Sequence, residues 1–225
     1  TVYILIPILL IPQLLLSGVI VKFDKLNPIL TTQKNVPFAG DAMTSRWAFE
    51  ALAVNQFKNN KHEKQFYKYD KKMANADFKK NYWIAKLKGK LDKCSANYKD
   101  PKFKDEVTRD LQLCKSEIKK EMNTAKNLLS CNETDKLEYL LFDEKVFAAV
   151  SDYLTQLQNY YIKLYNTSSE AKDKLITKLN KNETDREKFL LIQNQYSNES
   201  LEDLVRNSND MEKIIENKGE LTQRA

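Results

Sequence analysis

Residues 66–98 read FYKYDKKMANADFKKNYWIAKLKGKLDKCSANY, and their apolar members return every three or four positions: Phe66, Tyr69, Met73, Ala76, Trp83, Leu87, Leu91, Cys94 and Tyr98. That is the period of a helix burying one side, and it is interrupted at Lys80. Asp100-Pro101 then supplies an N-cap and a first-turn proline. A second stripe follows at Phe103, Val107, Leu111, Cys114, Ile118, Met122, Ala125 and Leu129, so the two stretches predict a helix hairpin.

Further along, Asn132 to Asp135 predicts the opening of a third helix, with a seam of Leu137, Leu140, Phe147, Val150, Leu154, Leu157, Tyr161 and Leu164. Thr167 with Glu170 reads as a capping box for a fourth helix, and Ser200 with Asp203 as the start of a short fifth. Connections of a few residues favour helices folding back on one another over an extended coiled coil. The fold class is therefore all-α, with these helices in an antiparallel helical bundle, to which the first 59 residues, read below, add one transmembrane helix and a membrane-edge helix.

Composition agrees with long helices. The 225 residues include four glycines and five prolines, and Pro7, Pro12 and Pro28 with Gly18 and Gly40 fall in the first 40 positions. The remainder holds few of the residues that hairpins and tight turns need. A hydrophobic fraction of 42% beside 30% charged residues is enough for a sizeable core. The net charge of +6 comes from lysines interleaved with aspartates and glutamates. That is the wording of solvated helix faces, so nucleic acid is not an expected partner.

One histidine (His62) and three cysteines (Cys94, Cys114, Cys131) form no zinc-type ligand set, and there is no phosphate-holding glycine-rich loop. No catalytic residue, metal ligand or cofactor-binding residue is assigned. The odd cysteine count allows at most one internal disulfide, and burial as small apolar side chains is an equal alternative. NETD occurs at Asn132 and again at Asn182, a recurrent helix-start wording; the four N-x-[ST] sequences at Asn132, Asn166, Asn182 and Asn198 fit helix capping.

At the other end, Val2 to Val21 reads VYILIPILLIPQLLLSGVIV without a charge. About 20 such residues at 1.5 Å each cross a hydrocarbon core of roughly 30 Å. No basic leader or small-residue cleavage site favours a signal peptide, and a core helix apolar on every face would need a larger soluble partner. Pro7 and Pro12 predict a bent span, and Ser17-Gly18 a close helix approach. The chain opens inside this apolar run and stops at Ala225 without a closing element, so it reads as a piece of a longer protein. Three segments follow: residues 1–22 as the membrane helix, 23–59 as an outer loop and membrane-edge helix, and 60–225 as the bundle.

In the middle segment, Ala42 to Phe57 is helical by content, with Met43, Trp47, Phe49, Leu52, Val54 and Phe57 surrounding its axis. Arg46 and Glu50 stand four apart and predict an ion pair, while Trp47 is of a type that favours the membrane interface.

The order LLLSGVIVKFDKLNP (Leu14 to Pro28), a loop of some fifteen residues, then TSRWAFEALAVNQF (Thr44 to Phe57) resembles the fifth membrane helix and re-entrant segment of G-subfamily ABC exporters. The resemblance covers about the first 58 residues; the rest exceeds the outer loop of the familiar eukaryotic members and is similar to large bacterial relatives. It implies an exporter permease in a bacterial inner membrane, with everything after Val21 extracytoplasmic. It further implies a homodimer surrounded by membrane lipid, packed with its own remaining membrane helices. A nucleotide-binding domain elsewhere in the parent protein would hold ATP and Mg. Val19 and Ile20, after the small-Gly pair, would form the apolar gate, and Arg46, Trp47 and Glu50 the membrane-edge motif. The alternative is a membrane-anchored helical sensor or binding ectodomain.

Overall fold

The computed structural model describes residues 2–15, 41–124, 129–206, 213–217 and 219–223. Over these the chain is mostly helical: α1 (Val2–Leu15), α2 (Thr44–Asn59), α3 (Glu63–Phe78), α4 (Ile84–Asn97), α5 (Lys104–Thr124), α6 (Glu144–Leu179), α7 (Glu183–Tyr196) and α8 (Glu199–Arg206). A two-stranded antiparallel hairpin follows, β1 (Ile214–Asn217) and β2 (Glu220–Gln223). The architecture is all-α as expected, with this short hairpin added near the C-terminal end. The chain divides into two compact units, Thr1–Tyr67 with Arg186–Asp210 and Ala225, and Lys68–Asp185 with Met211–Arg224.

In the second unit the interruption at Lys80 has a structural counterpart. α3 and α4 are joined without a break through a π-helical turn, Lys79–Trp83. A π turn inserts one extra residue and shifts the apolar stripe around the axis, so the period lapses and then resumes. The wider turn loosens the backbone ladder, and Gln158 of α6 donates to the Lys80 carbonyl at 3.2 Å.

α4 packs on α5 and α6. The seam holds Trp83, Ile84, Leu87 and Leu91 against Leu111, Cys114 and Ile118 of α5 and Val150, Leu154 and Leu157 of α6, all buried. Each large apolar side chain removed from water here contributes about 1.5–3 kcal/mol. Asp100 caps as expected, its carboxylate accepting from Lys102 N at 3.0 Å ahead of a 3-10 turn, Pro101–Phe103, that leads into α5. Ala125 of the second stripe lies outside the described residues.

The third helix departs from expectation. Asn132–Lys136 makes a 3-10 turn, the chain bends, and α6 begins only at Glu144, capped by Asp143, whose carboxylate accepts from Val146 N at 2.8 Å. Leu140, expected in the seam, is 90% exposed. α6 then runs for 36 residues straight through Thr167 and Glu170, so that capping box does not start a helix. In two of the four predicted places asparagine does cap: Asn182 Oδ1 accepts from Asp185 N at 2.8 Å and Asn198 Oδ1 from Leu201 N at 3.0 Å. Asn198, not Ser200, therefore opens α8. All three cysteines are free and buried.

Among the described residues no helix is long and apolar enough to cross a membrane. α1 accounts for 14 residues of the expected span and continues through Pro7 and Pro12; residues 16–22 lie outside the described part.

Candidate functional site

In the first unit, α1 is apolar and uncovered. Tyr3 is 89% and Leu14 52% exposed, with Ile4, Leu5, Ile6, Ile8, Leu10 and Ile11 between them exposed as well. Four consecutive residues, 3–6, step about 100° each and so sample every side of the helix. α2 packs against this helix, and Ser45 Oγ donates to the Gln13 carbonyl at 3.1 Å.

The next residue is Arg46. Its guanidinium bonds Asp41 on one side and Glu50 Oε2, at 3.1 Å, on the other. The group also lies 4.5 Å from the Trp47 ring centre, and Trp47 Nε1 donates to the Asp41 carbonyl at 2.8 Å. Arg46, Trp47 and Glu50 are thus together, with Asp41 as a fourth member that the sequence reading missed. The Arg46 side chain is 14% exposed while Glu50 is 53% exposed, so the cation is sheltered and its carboxylate partner reaches water. Val19 and Ile20 lie outside the described residues.

His62 ends this stretch. Asn60 Oδ1 accepts from His62 N at 2.9 Å and Glu63 N at 2.7 Å, starting α3. The imidazole is buried between Phe66 and Phe189, with Nδ1 3.0 Å from Glu63 Oε1 and Nε2 without a hydrogen-bond partner among the described residues.

The second unit contains a row of buried carboxylates on α5: Asp110, Glu117 and Glu121. Spacings of seven and four residues put them on one side of the helix, beside the apolar seam. The π turn supplies two of their partners. Lys79 Nζ donates to Glu121 Oε2 at 2.6 Å, and Trp83 Nε1 to Glu117 Oε2 at 2.9 Å. Tyr161 of α6 donates to the other Glu121 oxygen, and Lys90 of α4 bonds Asp110 Oδ1 at 2.6 Å. Every member of the row is paired, as buried charge requires.

Titration follows from these neighbours. Burial, then the hydrogen bond to Glu121, pushes Tyr161 far above the usual phenol range, and burial with the Glu121 charge pushes Tyr153 up to about 12. Burial also raises the Cys94 thiol to about 12 and the Cys114 thiol further, so both are protonated and poor nucleophiles. For Lys90, burial lowers the ammonium pKa, but the hydrogen bonds and charges of Asp110 and Glu216 outweigh it and leave the group above the ordinary lysine value.

Chemically, both clusters hold elements in place. Among the described residues no group of histidine, cysteine, aspartate and glutamate is arranged to hold a metal ion. The hollow lined by Glu187, Leu190, Leu191, Asn194 and Gln195 is one open face of α7. No family model matches the chain, and neither does any curated protein or any solved structure.

Proposed function

We propose that this chain is part of the permease domain of an ATP-driven exporter of lipophilic molecules, with α1 inside the bilayer and α2 at its edge. The observation that supports it is the apolar surface of α1, whose consecutive residues Tyr3, Ile4, Leu5 and Ile6 are all exposed. Transferring its eight large apolar side chains from water would be favourable by roughly 10–25 kcal/mol at 1.5–3 kcal/mol each. Hydrocarbon and neighbouring membrane helices are surroundings that accept such a helix on all sides. The 14 residues of α1 rise about 21 Å, and the uncharged residues 16–21 would complete a span of roughly 30 Å.

On this reading the Ser45 bond fastens the edge helix to the span, and the Arg46 cluster holds Asp41 against the start of that helix. Trp47 faces the headgroup layer, and the rest of the chain lies outside the cytoplasm of a bacterium. Val19 and Ile20 form the apolar gate of a homodimer: aliphatic side chains exclude water yet lose little when a lipophilic substrate replaces them. ATP and Mg belong to the nucleotide-binding domain of the parent protein.

The experiment is nucleotide hydrolysis by the full-length protein in detergent, with and without candidate lipophiles, repeated for Val19→Ala combined with Ile20→Ala. The expected outcome is stimulated hydrolysis whose coupling to export changes in the double variant while the dimer persists. Unchanged ATPase and unchanged export would assign both residues to the lipid face. A full-length protein that hydrolyses no nucleotide would leave the second reading, a membrane-anchored sensor or binding ectodomain. The closed, self-sufficient core of the second unit favours that reading.

A further inference from the structure

The C-terminal hairpin is fastened to the bundle in an unusual way. Register pairs Glu216 with Leu221 and Ile214 with Gln223, so Ile214, Glu216 and Leu221 share one face. Leu221 is buried and Ile214 packs against the core, but Leu221 is the one fully covered side chain among the described hairpin residues. A two-stranded hairpin is marginal by itself in water. Its other fastenings are polar. Lys90 Nζ reaches Glu216 Oε2 at 2.9 Å, Lys120 Nζ reaches Glu220 Oε1 at 2.9 Å, and Leu221 N donates to Glu117 Oε1 at 3.3 Å.

Both lysines are shared. Lys90 also holds Asp110, and Lys120 also holds Glu117 at 3.1 Å, while Glu117 keeps its bond from Trp83. If the hairpin leaves, neither buried carboxylate of α5 loses its cation, and Glu216 and Glu220, already partly exposed, pass into water. Stripping a buried carboxylate of its cation is what makes such a separation costly; here Asp110 keeps Lys90 and Glu117 keeps Lys120 and Trp83, and the loss is limited to the Leu221 N–H bond to Glu117 and the second carboxylate on Lys90. We propose that the hairpin is a detachable strap, held across the bundle by ions shared with the buried carboxylate row and able to lift while the helices stay folded.

The bridges from Lys120 to Glu220 and from Lys90 to Glu216 reach solvent, so salt screens them more than it screens the pairs beneath. The test is amide hydrogen exchange on the full chain, followed by mass spectrometry at 0.05 and 1 M NaCl, for the parent, Glu216→Gln and Glu220→Gln, which leave Lys90 on Asp110 and Lys120 on Glu117. The two substituted positions are solvent-accessible, so the variants keep the core intact. Expected is exchange in residues 213–223 at least tenfold faster in high salt and in both variants, with protection in α4, α5 and α6 unchanged. Loss of protection in hairpin and helices together, or a hairpin indifferent to salt and to both substitutions, would overturn the proposal.

Discussion

Arg46 concentrates what a residue-level reading can and cannot reach. Its pairing with Glu50 is written in the four-residue spacing, which any helix would express. Asp41 is not, because it precedes the helix and depends on how the chain turns before Thr44. The guanidinium is sheltered by Trp47, but Glu50 and Asp41 are each about half exposed. Glu50→Gln should therefore cost about 0.3–0.5 kcal/mol, the size of a surface helix pair. Arg46→Met should cost more, about 1 kcal/mol or above, since it also removes the stacking on Trp47 and the bond to Asp41. A double-mutant cycle on the thermal stability of the detergent-solubilised protein measures the coupling. A coupling above about 2 kcal/mol would instead mean that the pair is held away from water.

Among the elements, the π turn between α3 and α4 is the one whose position the sequence marks and whose purpose it hides. The stripe lapses at Lys80, yet that lapse alone does not say that Lys79 and Trp83 are carried towards Glu121 and Glu117. Deleting Asn81, an exposed residue whose side chain bonds Asp77 on the same helix, would restore an ordinary α turn. One position would then be lost between Lys79 and α4, turning Lys79 by about 100° relative to α5. Glu121 would keep Tyr161 but lose its cation, and a buried charge stripped of its partner costs roughly 3–5 kcal/mol. Urea denaturation should show a clearly lower midpoint; a deletion as stable as the parent would mean that the extra residue is merely tolerated. Element boundaries elsewhere were harder to read for a related reason. The Thr167 and Glu170 pair fits a capping box, but Tyr161, Ser168 and the partly buried positions 171, 172, 175 and 176 keep the helical period running through it. NETD at Asn132 offers the same start signal as at Asn182, and the core takes Leu137 and Phe142 into its interior instead, bending the chain until Asp143.

At the scale of the whole chain, the helical seams were legible because they repeat, while the hairpin was not, because its stability is non-local. Ile214, Glu216 and Leu221 become a face only opposite Lys90 and Glu117, residues more than a hundred positions away. Gly219 at φ 76° permits the turn, but a lone glycine among charged residues is a weak signal. The same accounting predicts which part of the chain stands alone. The core of the second unit is built from α4, α5, α6, the segment around Leu137 and Leu221, all supplied after residue 67. Residues 60–225 expressed without the apolar helix should therefore give a helical circular dichroism spectrum and a cooperative thermal melt. Leu154, fully buried on α6, is the internal check: Leu154→Ala should lower the stability of that product by about 2–5 kcal/mol, the range for a leucine removed from a packed interior. A non-cooperative melt, or an alanine variant that melts with the parent, would show that this core does not hold the bundle together without the residues before it.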